Sequence, residues 1–221
     1  MGAVVETPSI YMDMTAEENI RQQYLVLGLP SMDGAQELLR LVGLDGTGKK
    51  KAKNFSLGMR QRLGIAVALA GSPDFLVLDE PVNGLDPQGI IEMRELILKL
   101  NREHGITVLI SSHILDELSR LATHYGFIDG GHMVKEMSAE ELEMRCRKST
   151  RAEAANSSVL DGLGAEYRIV DDSRVDIFAD IPVSKLVLEA QKENCAIYSM
   201  KERDESLESF YMNLIGGAHH A

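Results

Sequence analysis

Several features are scarce or missing in this 221-residue chain, and their absence excludes whole classes of protein. There are only 2 cysteines, Cys146 and Cys195, and their separation matches neither a CxxC pair nor a metal-ligand spacing. We therefore expect free thiols in a reducing compartment. No apolar run is long enough to cross a membrane, and the residues after Met1 do not read as a signal peptide. The sequence predicts a cytoplasmic protein whose membrane association depends on a partner.

Basic residues are the minority charge, with 23 Lys and Arg against 34 Asp and Glu, so the net charge is -11. Proteins that bind a nucleic-acid backbone usually present a basic face. The charge balance therefore argues against nucleic acid as the main partner. The remaining composition, with 44% hydrophobic and 26% charged residues, is that of an ordinary globular protein.

One stretch, Phe75–Pro87 with the sequence FLVLDEPVNGLDP, joins an apolar run to acidic residues. The run Phe75–Leu78 has no alternation, which is typical of a strand buried on both faces. Asp79 and Glu80 follow it directly, at the carboxyl end where open α/β sheets bind their ligands. Two carboxylates in that position suit phosphoryl transfer, with one acid on Mg²⁺ and the other on a water. For the strand alone, the alternative is a solvated acidic loop.

Two further segments point to the same chemistry. Ser56 is a natural N-cap for a helix over Leu57–Leu69, and Gly58 would let a ligand approach the backbone closely. A helix N-terminus offers free N–H groups to a phosphate, although plain capping explains the same residues. His113 comes just after a second apolar strand, Ile106–Ile110, as the acids come after theirs. Because of those acids, a role of His113 toward a phosphate is favoured over a structural one.

Caps and periodicity predict the other elements. Thr15 with Glu18, and Ser138 with Glu141, match capping boxes that begin helices. Further predictions are a strand over 2–6, helices over 15–27, 35–42, 88–103 and 114–121, and hairpin strands over 125–129 and 132–136. After a predicted linker over 147–158, we expect a helix, strands over 167–170, 175–178 and 197–201, and helices over 184–193 and 207–215. His219 and His220 fall in a tail predicted to be solvent-exposed.

The segment Gly43–Lys50 fits the spacing of a phosphate-binding loop. We reject that interpretation because no strand precedes it and no apolar helix follows it. In addition, Lys50 replaces the hydroxyl residue that would bind Mg²⁺. The segment is predicted to be a solvated basic loop.

Over residues 2–136 the chain resembles an ABC transporter ATP-binding subunit. FSLGM is similar to the ABC signature, FLVLDE to Walker B with its catalytic glutamate, NGLD to the D-loop, and His113 to the switch histidine. ETPSIY and the appended C-terminal part further resemble the branch that exports bacitracin, lantibiotics and similar peptides. The resemblance implies an α/β fold: a partial P-loop NTPase domain over 1–146, with a helical subdomain at about 15–70, and a small α+β domain over 147–221.

The resemblance also implies ligands and roles. The chain would bind ATP and Mg²⁺. Its partners would be a second ATP-binding subunit and a membrane permease, and the permease would hold it at the inner face of the membrane. Asp79 would hold Mg²⁺, Glu80 would polarise the attacking water, and His113 would contact the γ-phosphate. Glu6 stands at the Q-loop position, where a carboxylate would also meet Mg²⁺ or water. The residues expected on the opposite subunit's ATP, or at the interface with it, are Ser56, Leu57, Gly58, Met59 and Asp86.

The chain departs from the family's pattern in three places. Leu57 and Met59 replace residues of the usual LSGGQ signature, and Glu6 replaces a glutamine. The family's phosphate-binding loop lies upstream of the Q-loop, whereas here Met1 falls inside an expected core strand. We therefore expect a fragment or a degenerate subunit that lacks this loop, binds ATP weakly and is inactive alone.

Two functions stay open at this point. The first is the ATPase that energises a peptide exporter, and the second is a non-catalytic subunit that completes the ATP site of a full-length partner. A third, a soluble ABC protein acting on DNA or ribosomes, is disfavoured. Such proteins usually carry tandem cassettes or a coiled-coil insertion, and neither is visible in the sequence.

Overall fold

The computed structural model describes residues 1–31, 33–146, 149–154, 165–171, 174–178, 181–192, 195–203 and 207–218. The chain divides into two compact units, Met1–Leu121 and Ala122–Ala221. The domain boundary expected after residue 146 stays a prediction.

A three-stranded parallel sheet lies at the centre of the first unit. Its strands are β1 (Gly2–Val4), β2 (Phe75–Asp79) and β3 (Thr107–Ser111), in the order β1-β2-β3. The register pairs Val4 with Leu78 and Leu78 with Ile110, so the three carboxyl ends lie at one edge. Leu76 and Leu78 are fully buried, whereas Phe75 and Val77 on the other face are half-buried, so the strand is less completely covered than the apolar run predicts.

The first unit also contains helices. They are α1 (Ala16–Leu27), α2 (Ala35–Leu41), α3 (Leu57–Leu69), α4 (Pro87–Arg102) and the short α5 (Leu115–Leu118). Of these, α3 and α4 pack on the sheet. Thr15 and Glu18 form the predicted capping box of α1, and Ser56 caps α3. The fully buried core includes Ile20, Leu44, Leu63, Ile65, Met93 and Leu100.

The basic segment before α3 is a loop, as predicted. Asp45–Thr47 and Ala52–Asn54 form short 3-10 turns there, and Lys49 and Lys50 are exposed. The ammonium of Lys50 lies 5.7 Å from the centre of the Phe55 ring. This geometry is not a strand–loop–helix phosphate site.

Two elements of the first unit are shorter than predicted. β1 ends at Val4 because the chain leaves the extended conformation, with Glu6 at a φ of +50°. α5 covers four residues instead of 114–121. The Ser119 hydroxyl donates to the Asp116 carbonyl at 2.8 Å, and such a local bond competes with helix continuation.

The second unit contains a hairpin and a separate antiparallel sheet. The hairpin strands are β4 (His124–Asp129) and β5 (His132–Ser138), joined at Gly130 and Gly131, and α6 (Ala139–Cys146) follows. The sheet has the order β7-β8-β6-β9, with β6 at Ser149–Ala154, β7 at Tyr167–Asp171, β8 at Arg174–Ile177 and β9 at Ile197–Arg203. Its helices are α7 (Val183–Lys192) and α8 (Leu207–Ala218).

The predicted linker over 147–158 is wrong for part of its length. Residues 149–154 form β6, which pairs with β8 on one side and β9 on the other. Ala152 is buried in this sheet, so the small residues that suggested a linker are instead packed in a strand. The helix predicted before Tyr167 and the tail histidines, His219 and His220, lie outside the described residues.

Cys146 is half-buried and Cys195 is buried, and neither forms a disulfide within the described part of the chain, as predicted. In the described part of the chain, no helix is both long enough and apolar enough to span a bilayer.

Candidate functional site

The two acids of the FLVLDE motif lie where β2 ends. Asp79 is the last residue of β2 and pairs with Ser111 at the end of β3. The Glu80 N–H extends this ladder by donating to the Ser111 carbonyl at 3.1 Å. Glu80 itself has a φ of +49°, a left-handed conformation that is unfavourable for a side chain with a Cβ. The turn directs Glu80 out of the strand at the carboxyl edge of the sheet.

Glu80 and His113 are in direct contact. Oε1 of Glu80 accepts a hydrogen bond from the His113 N–H at 3.0 Å and lies 2.8 Å from Nδ1 of the same residue. The Glu80 side chain is 26% exposed and that of His113 is 67% exposed, so the imidazole is the more accessible partner. His113 therefore contacts one of the two acids, Glu80, at the ends of neighbouring strands.

The second carboxylate oxygen of Glu80 is unpartnered within the described ranges. Oε2 is buried and makes no hydrogen bond to any described residue. A buried, ionised oxygen without a donor is costly, because it has lost its hydration without gaining a replacement. Oε2 therefore keeps an unused capacity to accept a hydrogen bond.

Ser111 is a site residue that sequence reasoning missed. Its hydroxyl donates to Oδ1 of Asp79 and accepts from the Glu80 N–H at 3.3 Å, so one side chain contacts both acidic residues. The only sequence signal was its place at the end of an apolar strand, and that signal does not specify the pairing with Asp79.

The signature-like residues lie at the N-terminus of α3, next to the NGLD turn. The Ser56 hydroxyl oxygen accepts from the Met59 N–H at 3.3 Å. A Cβ on Gly84 would lie 3.2 Å from Leu57, and a Cβ on Gly58 would lie 3.7 Å from Leu85. The N–H groups of the first helical turn have no partner within an α-helix, so this end of α3 offers donors beside the turn that follows Glu80.

Asp86 and Glu6 lie at separate positions around the same sheet. Asp86 is the N-cap of α4, and its Oδ1 accepts from the Gly89 N–H at 2.9 Å. Glu6 follows the end of β1 with an exposed side chain, and its carbonyl accepts from Nε2 of the buried Gln61 at 3.4 Å. Neither carboxylate makes a contact with Asp79 or Glu80 among the bonds of the described residues.

The short helix after His113 is attached to α4 by an ion pair. Arg94 on α4 donates to Glu117 on α5 at 3.2 Å, and both side chains are 19% exposed. This contact orients the segment that follows the histidine.

The acids suit Mg²⁺ but would not hold it alone. Carboxylate oxygens are preferred Mg²⁺ ligands, and the ion usually takes one or two of them together with waters and substrate phosphates. Within the described ranges, no group of three or more His, Cys, Asp or Glu side chains is arranged to hold a metal ion. Asp79, whose Oδ1 is bonded to the Ser111 hydroxyl, fits a magnesium ion whose remaining ligands come from phosphate and water.

Comparison with known proteins identifies the family. The family model for ABC transporters matches residues 1–83. The bacitracin transport ATP-binding protein BcrA of Enterococcus faecalis is 36% identical over 223 residues, covering 98% of this chain and 72% of the relative. The lantibiotic transport ATP-binding protein SrtF of Streptococcus pyogenes is 46% identical over 143 residues, covering 65% of this chain and 62% of that protein. The chain belongs to the ATP-binding proteins of ABC transporters.

Solved structures agree with this assignment. An ATP-binding cassette protein, solved as a dimer in a post-hydrolysis state with ADP and Pi, aligns with a TM-score of 0.54 at 25% identity, covering 62% of each chain. The predicted fold class and the resemblance drawn from FSLGM, FLVLDE and NGLD are therefore confirmed.

Proposed function

We propose that this chain is the ATP-hydrolysing subunit of an ABC transporter that exports antimicrobial peptides of the bacitracin or lantibiotic type. The relatives named for bacitracin and lantibiotic transport support the substrate class. The family supports ATP as the bound nucleotide. The proposed partners are a membrane permease and a second ATP-binding subunit, and the permease would hold the chain at the inner face of the membrane.

The observation that carries the hydrolytic role is the state of the Glu80 carboxylate. Its Oε1 is bonded to His113, whereas its buried Oε2 accepts from no donor in the part of the chain that the structure describes. A general base must lie within hydrogen-bond reach of the proton that it attracts. We assign Oε2 to the attacking water, which adds to the γ-phosphorus while the bond to the leaving ADP oxygen breaks.

The neighbouring residues have supporting roles in this proposal. Asp79 would hold Mg²⁺, and Glu6 would contact the same ion or its waters. Mg²⁺, when bound, neutralises charge that develops on the phosphates. His113 would contact the γ-phosphate while its backbone N–H holds Glu80.

The α3 terminus would serve the opposite subunit. Ser56, whose hydroxyl hydrogen remains available to donate, would bind the partner's γ-phosphate together with the first-turn backbone of Leu57, Gly58 and Met59. Asp86, which caps α4 beside this turn, would stabilise the interface. Each nucleotide would then lie between two subunits.

A second candidate function is favoured by the charge around the acids. Among the ion pairs of the described residues, no lysine or arginine contacts Asp79 or Glu80. A half-site without counter-charge binds a triphosphate poorly, so the chain would act by completing a partner's site. The expected lack of a phosphate-binding loop, and inactivity of the chain alone, stay predictions.

Two substitutions in the assembled transporter separate these functions. If this subunit hydrolyses ATP, Glu80→Gln should lower kcat by about 10²- to 10⁴-fold, the usual contribution of a general base. Ser56→Arg places a bulky cation at the α3 terminus and should impair hydrolysis under both functions. Glu103→Gln, which alters an exposed acid at the C-cap of α4, is the control and should leave kcat unchanged.

The pattern of the two rates decides the outcome. An unchanged rate in Glu80→Gln together with a lost rate in Ser56→Arg would show that the subunit only completes its partner's site. If neither substitution changes the rate, the chain takes no part in hydrolysis and the proposed function is wrong.

A further inference from the structure

The Ser111 hydroxyl is placed to control both acids at once. It donates to Oδ1 of Asp79 and accepts from the Glu80 N–H at 3.3 Å. That N–H also donates to the Ser111 carbonyl at 3.1 Å. Ser111, the last residue of β3, therefore bonds both the carboxylate of Asp79 and the backbone N–H of Glu80.

This bridge acts on a residue with an unfavourable backbone. Glu80 adopts a φ of +49°, and such a conformation persists in a non-glycine residue only where the surroundings hold it. The two acceptors on Ser111 fix the amide of Glu80, while the His113 amide fixes its carboxylate at 3.0 Å. Both the backbone and the side chain of Glu80 are therefore fixed by hydrogen bonds, and Ser111 supplies the bonds to the backbone.

The bond to Asp79 also distinguishes the two oxygens of that carboxylate. The Ser111 hydroxyl occupies Oδ1, and it is the only hydrogen-bond partner of the Asp79 side chain among the described residues. Oδ2 is thus the oxygen left for a cation. Hydrogen bonds to a metal-binding carboxylate commonly set its orientation and basicity.

We infer that Ser111 is a positioning residue that presents Oδ2 of Asp79 to Mg²⁺ and holds the backbone turn at Glu80. Its hydroxyl does not contact the reacting atoms and works through the two acids. The inference rests on the proposed function for its metal, but the contacts themselves do not depend on it. Ser111 is exposed, so the extra methyl group of Ser111→Thr has room. That variant keeps the hydroxyl group on which the inference depends.

The neighbouring serine provides a matched control. The Ser112 hydroxyl oxygen accepts from the Ile114 N–H at 3.0 Å and makes no bond to either acid. Ser112→Ala therefore removes the same chemical group one residue further along without disturbing the bridge. Ser111→Thr is the conservative variant that should restore the function.

The first measurement uses the purified chain without nucleotide or metal. Carbon-13 NMR of the side-chain carboxyls and amide hydrogen exchange report the two bonds directly. In Ser111→Ala, we expect the Asp79 carboxyl resonance to move and the Glu80 amide to exchange faster. Both signals should stay close to wild type in Ser112→Ala and in Ser111→Thr. An unchanged Asp79 resonance and Glu80 exchange rate in Ser111→Ala would overturn the inference.

The second measurement titrates Mg²⁺ at fixed ATP in the assembled transporter. Loss of a group that orients a metal ligand typically costs about 10- to 100-fold in metal affinity or activity. We expect Ser111→Ala to raise the half-saturating Mg²⁺ concentration by about that factor and Ser111→Thr to restore it. A shift in Ser111→Ala no larger than in Ser112→Ala would overturn the role toward the metal. If the wild-type complex hydrolyses no ATP, the proposed function fails, and the NMR signals alone then decide whether Ser111 positions the acids.

Discussion

Gly64 shows at the scale of one residue how closely α3 packs on the segment after β1. A Cβ at this position would lie 2.5 Å from Cβ and 3.0 Å from Cγ of Pro8. In an open helix, alanine is preferred to glycine by about 1 kcal/mol, but overpacking a dense core costs about 1–3 kcal/mol. We expect the net effect of Gly64→Ala to be a loss of up to about 2 kcal/mol in the free energy of unfolding, measured by urea denaturation.

Gly46 is the matched control for this prediction. It lies in the 3-10 turn at Asp45–Thr47, and a Cβ there would have no heavy atom within 4 Å. Gly46→Ala should therefore be neutral or slightly stabilising. Equal stability changes in the two variants would mean that the contact with Pro8 does not limit this position.

At the scale of an element, the first turn of α1 predicts a pH dependence. The Thr15 N–H donates to Glu18 Oε2 at 2.7 Å, and the Glu18 N–H donates to the Thr15 hydroxyl at 3.2 Å. The backbone bond from Thr15, followed by its side chain, lowers the pKa of Glu18 from the usual 4.5. A lowered folded-state pKa gives stability that is present above the unfolded value and is lost as the pH falls through the folded value.

Glu18→Gln removes this titration. We expect the difference in unfolding free energy between wild type and Glu18→Gln to be largest near neutral pH and to narrow between about pH 5 and pH 3. Thr15→Ser keeps both bonds and should follow the wild-type profile. Denaturant midpoints measured across this range test the prediction, and parallel profiles for wild type and Glu18→Gln would contradict it.

At the scale of the whole molecule, charge predicts weak nucleotide binding by these 221 residues alone. The net charge is -11, and no lysine or arginine of the described residues forms an ion pair with the acids at the end of β2. ATP is itself tetra-anionic, so its phosphates would meet like charge with only Mg²⁺ between them. We expect a Kd for Mg-ATP on the order of 1 mM or weaker.

Isothermal titration calorimetry of the chain without partners checks this expectation. The double variant Asp79→Asn with Glu80→Gln is the control, measured with ATP in the absence of Mg²⁺. Because both negative charges are removed, this variant should bind Mg-free ATP more tightly than the wild-type chain does. Saturable binding in the micromolar range by the wild-type chain would show that the described residues are sufficient for the nucleotide.

The sequence by itself determined the features that depend on neighbouring residues. Thr15 and Ser56 mark the starts of α1 and α3 because a side-chain oxygen satisfies N–H groups within the next turn. The apolar run before Asp79 predicts a buried strand because four consecutive apolar residues need a covered surface. The order of the FSLGM, FLVLDE and NGLD segments then predicted the family.

Only the tertiary structure decided which distant groups meet. Ser111 contacts Asp79 because β2 and β3 pair in one parallel register, and neither strand specifies that register locally. β6 forms because β8 and β9 supply its hydrogen bonds from both sides, although its own residues resemble a linker. Which oxygen of Glu80 is bonded likewise depends on where the loop of His113 lies, because the His113 N–H donates to Oε1 and leaves Oε2 unbonded. These features come from pairings between residues far apart in the chain, and such pairings leave no mark in a local pattern.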